Sequence, residues 1–228
     1  MFRIRLVAAL ALALAMPAAF AEGQAAVGQD VEKVNGGITA EPDQSYGNLE
    51  TVNGGIHIES RAHTGNAETV NGGIHVADRA QTGSLSTVNG GIHLGTQVQV
   101  SKDMETVNGE IFIDRGGRIG GDISTVNGGI GLVDTDVDGG ISTVSGDVTV
   151  GVGSHVKGGL KVEKPNSNWS IHFGKPRIQR IVIGPNAVVE GPLVFEREVK
   201  LYVHASARTG AVTGATAIRF DGAHAPQD

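Results

Sequence analysis

Cysteine is absent from all 228 residues, so neither a disulfide nor a thiolate site can hold or work this chain. Aromatic residues make up only 4%, too few for a wide core built around rings. Basic residues do not dominate. The 18 Lys and Arg stand against 24 Asp and Glu, a balance that argues against nucleic acid as a partner. Beyond residue 21 no apolar run approaches the length of a membrane span, so no transmembrane segment is expected. The signatures of common enzymes are missing too: there is no Gly-x-Ser-x-Gly elbow, no His-Glu-x-x-His pair and no P-loop.

The first residues read as a targeting segment. Arg3 and Arg5 precede an apolar run from Leu6 to Met16, and Ala19-Phe20-Ala21 offers small residues for cleavage. This is the pattern of a secretory signal peptide over 1–21, with a mature chain starting near Glu22 and a periplasmic or secreted location. Without Arg3 and Arg5 the remaining charge is near −8, from 16 basic and 24 acidic residues.

What the chain has in excess is glycine, 35 residues, and the glycines fall at fixed places. The phrase Thr-Val-Asn-Gly-Gly-Ile recurs with its asparagines at Asn35, Asn53, Asn71, Asn89, Asn108 and Asn127, and Ser145 takes the seventh place. A short fixed period is the mark of a solenoid, in which each unit stacks on the next. Ile56-His57-Ile58 and its equivalents alternate as short strands with one buried face. Leu85 to Val88 and Ile123 to Val126 give a second strand before each asparagine. Asn-Gly between strands can mark a hairpin, but identical phrases every 18 residues stack like on like, as parallel coils do. The predicted fold is all-β: a single-stranded parallel β-helix with triangular coils of roughly 18 residues, of either hand. Val52, Ile58, Thr64, Val70 and Val76 fall six apart and suggest a hexad. The chain must change face near the Val-Asn-Gly corner, with either Thr or Val pointing inward.

Glu110 replaces the second glycine of its unit, and residues 163–180 interrupt the pattern with a segment holding Trp169 and His172. The predicted division is a signal peptide at 1–21, repeat coils at 22–162, an irregular insertion at 163–180, further coils at 181–220 and a tail at 221–228. The repeated Thr-Val-Asn-Gly-x-Ile resembles the bacterial β-strand-repeat proteins of adhesin type, over roughly Val31 to Val150. The stretches Ser145 to Leu160 and Ile181 to Val212 resemble bactofilins, the polymer-forming β-helix proteins. That resemblance implies a compact triangular β-helix, end-to-end assembly, no nucleotide and no active-site residues. The secretion signal departs from a cytoplasmic cytoskeletal role.

The asparagine column has two readings: a structural ladder of stacked amides, or a functional surface. The row His57, His75 and His93 is either solvated or a place where imidazoles share a metal. No carboxylate shares that column, since Phe112 and Gly131 follow, so no metal is assigned. Asp134, Asp136 and Asp138 hold part of a calcium-loop ligand set but lack the rest of it. Trp169 is either a lid on the core or, with His172, a ligand contact. Phe195, Leu201 and Val203 are candidates for an apolar end contact. The expectation is a non-catalytic envelope protein without cofactor, structural or interactive, that forms a homo-oligomer or polymer. The alternative is a module binding an envelope glycan, protein or ligand through the Trp169 loop.

Overall fold

The computed structural model describes residues 28–165 and 177–226, so the expected signal segment and both Trp169 and His172 lie outside the described residues. Three parallel sheets run the length of a solenoid. The first face has ten strands, beginning Val31–Asn35, Leu49–Asn53, Ala67–Asn71 and ending Val212–Thr213. The second face also has ten, from Ile38–Ala40 to Ala217–Phe220. The third has seven two-residue strands, from Gln81–Thr82 to Arg208–Thr209, and isolated bridges extend it through His63 to Ser45. This is about nine turns of a β-helix. Every pairing is parallel, and the asparagines meet in register: Asn35 with Asn53, then Asn71, Asn89, Asn108 and Asn127.

The core follows from parity. Leu49 and Thr51 point inward on the first face, and Ile56 and Ile58 on the second. Ile56 follows Thr51 by five positions, an odd step, so the chain changes face at the Asn-Gly-Gly corner. Threonine, not valine, is the inward residue there: Thr51, Thr69, Thr87, Thr106, Thr125 and Thr143 are all buried. Val52, Val70 and Val88 point outward, so the six-residue spacing does not trace one buried column. Ile74, Val76, Ile92, Leu94, Ile111, Ile113 and Ile130 are buried, while His57, His75 and His93 are exposed, as alternation predicts. A third inward column, at the corner before the third face, takes small residues such as Ala62, Ala80, Ser154, Ala187 and Ala207.

Buried threonine needs a partner for its hydroxyl, and the corner supplies it. Thr51, Thr69, Thr87, Thr106 and Thr125 each donate through Oγ1 to the carbonyl of the first glycine of the preceding coil, at 2.8–3.3 Å. That same glycine has no room for a Cβ. A methyl on Gly72 would lie 2.1 Å from the Gly54 carbonyl oxygen, and one on Gly109 would lie 1.9 Å from that of Gly90. At the second glycine the nearest backbone atom stands about an ångström further off, 3.2 Å at Gly55 and 3.5 Å at Gly129. This is why Glu110 can replace the second glycine, while the first recurs in every unit from Gly36 to Gly146.

The insertion occupies the corner between Leu160–Val162 on the first face and Gln179–Ile183 on the second. Regular pairing resumes at Gln179, two residues earlier than the sequence suggests. In the last described coils Phe195 alone puts a ring into the core cluster; Tyr202 and Phe220 are buried at outward parity, Tyr202 under the Arg180 guanidinium at 4.5 Å and Phe220 against His204. Phe195, Leu201 and Val203 therefore belong to the core, 5%, 0% and 1% exposed, and cannot form an end contact. Their strands place them at inward parity.

Candidate functional site

The asparagine column is a hydrogen-bonded ladder. Asn53, Asn71, Asn89, Asn108 and Asn127 each donate through Nδ2 to Oδ1 of the asparagine one coil before, at 3.0–3.2 Å. The side chains are exposed, and they satisfy one another along the edge of the first face.

A second ladder was not foreseen. At the corner between the third and first faces, side-chain oxygens accept the backbone N–H one coil on: Asp30 from Asn48, Asn48 from Asn66, and Asn66 from Ser84. Asp103 and Asp122 repeat the contact. The signal in the sequence is an Asx residue just before each first-face strand, but Ser84 breaks the column and the flanking spacing shifts.

The histidine row is in place. Ring centroids lie 6.1 Å apart for His57 and His75 and 6.4 Å for His75 and His93. Among the described residues no group of three His, Cys, Asp or Glu is placed to hold a metal ion. The three aspartates diverge. Asp134 sits at a left-handed corner with φ 45°, Asp136 points out from the third face, and Asp138 pairs with Lys157 at 2.5 Å.

The same left-handed corner is taken in other coils by Asp43, Arg61, Arg79, Gln97 and Asn186, at φ 55–60°. A fork from Arg61 to both oxygens of Asp43, at 2.5 and 2.6 Å, ties two of these corners together. The guanidinium holds the Asp43 carboxyl below its ordinary range. On the first face, Glu50 stacks between Glu32 and Glu68. Partial burial first, and then the charges of Glu68, Glu32 and Asp30, push its pKa up.

A shallow trough of about 1020 Å³ runs along the third face. One bank is the outward column His63, Gln81, Gln99 and Arg118. The floor is Gly65, Gly83, Ser101 and Gly120, and the opposite bank includes Asn48, Asn66 and Lys102. The floor positions have backbone reasons to be glycine: a Cβ on Gly83 would lie 2.5 Å from Asn66 Oδ1, and one on Gly120 2.5 Å from the Ser101 carbonyl. Further along, Asp138, Lys157 and Glu190 put side chains into the floor column. The Lys157–Asp138 pair at 2.5 Å and the His155–Glu190 contact at 2.7 Å close the trough there. Trp169 and His172 cannot be placed relative to it. No protein-family model, no curated protein and no solved structure matches this chain.

Proposed function

We propose that this protein is a non-catalytic structural rod of the cell envelope that assembles end to end with copies of itself. The observation that carries this reading is the state of the two ends. Among the described residues, no strand pairs with the outer side of Val31–Asn35 or Ile38–Ala40, or with that of Val212–Thr213 or Ala217–Phe220. A free edge of a parallel sheet presents unpaired N–H and C=O groups and accepts a further strand. The ends also differ in charge. Residues 28–145 carry 16 acidic and 6 basic side chains, net −10, whereas residues 146–226 carry 6 acidic and 10 basic, net +4. Two unlike, complementary ends make a heterologous contact that adds copies along a line. The secretion signal expected at residues 1–21 supports an envelope location, and the resemblance to adhesin-type repeats and bactofilins supports a non-catalytic role. The alternative, ligand binding through Trp169 and His172, rests on residues outside the described structure and gains no support from it.

Light scattering and electron microscopy of the purified chain test the proposal. Linear assemblies are expected at low ionic strength. They should shorten as the Debye length falls from about 10 Å at 0.1 M salt to about 3 Å at 1 M. Reversing two exposed cations of the last coil, Arg208→Glu with Arg219→Glu, should abolish them and leave the β-sheet circular dichroism unchanged. A chain that stays monomeric at high concentration in low salt would overturn the proposal.

A further inference from the structure

We propose that the glycine-floored trough on the third face binds a linear glycan lying along the axis of the rod, a function separate from end-to-end assembly. The first argument is unspent hydrogen-bonding capacity. Two other polar columns satisfy themselves: the asparagine amides bond one another, and the Asx oxygens cap backbone N–H groups. The side chains of His63, Gln81, Gln99 and Arg118 make no hydrogen bond or ion pair to any described residue. They stand in adjacent coils on one bank, pointing outward.

The second argument is shape. Three steps separate Gly65 from Gly120 in the floor column, about 14 Å at the interstrand spacing of a sheet. Over that length the floor is backbone and one serine, and the Lys157–Asp138 ion pair and the His155–Glu190 contact close it at one end. A narrow trench of this kind suits an extended polymer laid lengthwise, with one unit facing each coil. It does not suit a compact ligand, which needs enclosure. The third argument is chemistry. The amides donate and accept, the imidazole offers a ring nitrogen of each kind and the guanidinium donates through a planar fork, which suits the paired ring hydroxyls of a sugar chain. A peptide strand would need a free sheet edge to pair with, and the trough offers none, because the coils that line it are paired on both sides.

The test is isothermal titration calorimetry of the whole chain with two linear probes, chitohexaose and hexagalacturonate, each compared with its own disaccharide. Saturable binding of at least one hexasaccharide is expected, at least ten-fold tighter than its disaccharide. Gln81→Ala with Gln99→Ala removes two donors of the bank without touching the core, and should weaken binding at least ten-fold. Ser101→Trp, which fills the floor from an exposed position, should abolish binding. Circular dichroism of both variants should match that of the parent. No binding of either hexasaccharide, or binding that survives Ser101→Trp, would overturn the inference. Neither result depends on whether the rods assemble.

Discussion

Threonine at the inward corner position shows how one hydroxyl settles a register. Valine has nearly the same shape, and the neighbouring Val52 column has the same β-branched character, yet threonine is the buried member. The reason is the carbonyl of the preceding coil's glycine, which points at the hydroxyl and has no other donor there. Thr87 Oγ1 lies 2.8 Å from the Gly72 oxygen. Thr143 is the exception in its column: it is fully buried and its Oγ1 has no partner. The two sites should therefore respond in opposite ways to the same substitution. Thr87→Val leaves a buried carbonyl unsatisfied and should cost about 1–3 kcal/mol. Thr143→Val removes an unsatisfied hydroxyl and should be neutral or stabilising. Chemical denaturation of the two variants beside the parent measures both, and equal losses would contradict the assigned hydrogen bonds. The sequence alone left threonine and valine equally placed, because the deciding partner lies a coil away.

At the scale of the strand, the first face stacks like charges. Glu32, Glu50 and Glu68 occupy one outward column, and opposite or like pairs on adjacent strands matter by fractions of a kcal/mol each. Burial and these neighbours raise the folded pKa of Glu50 above its ordinary value. A raised carboxyl favours the protonated form in the folded state, so this group weakens folding at neutral pH, and the penalty lifts as pH falls through the raised folded value. Glu50→Gln should raise the melting temperature at pH 7, and the advantage over the parent should disappear in acid. Melting curves across that range check it. A variant no more stable than the parent at pH 7 would remove Glu50 as a source of strain. These columns were partly legible. The alternation Ile-His-Ile and the recurring asparagines announced two faces and one ladder. The corner taken by Asp43, Arg61, Arg79 and Gln97 announced nothing, because arginine and glutamine have no intrinsic taste for positive φ and adopt it only because the stack imposes it. The trough was equally hidden. His63, Gln81, Gln99 and Arg118 each stand ten residues after the asparagine of their unit, but they share no single residue type, so the spacing did not mark a bank.

For the whole molecule, the repeat acts as a unit of length. Nearly every contact in a solenoid is between neighbouring coils, so stability is close to a sum of unit and interface contributions. Removing one whole unit, residues 72–89, joins Asn71 to Gly90 and keeps every column in register. That shorter chain should fold with unchanged β-sheet circular dichroism. Removing 17 residues, 72–88, leaves an extra residue at the close-packed Asn-Gly corner, where a Cβ on the first glycine already has no room, and this chain should be markedly less stable. Comparable stability of the two deletions would mean that the length of the corner is not what holds the coils.

The asparagine ladder also gives the rod a direction. In the backbone the axial hydrogen bonds run both ways: the Gly36 N–H donates toward the next coil and the Glu59 N–H toward the previous one, so their dipoles largely cancel. The side-chain amides do not alternate. All five rungs donate toward the N-terminal neighbour, so their dipoles add as peptide units do in a helix. The positive end of this line is Asn35, at the acidic pole of the molecule, and its Nδ2 has no acceptor among the described residues. The ladder is a one-way relay whose polarity opposes and partly offsets the charge gradient of the rod that carries it.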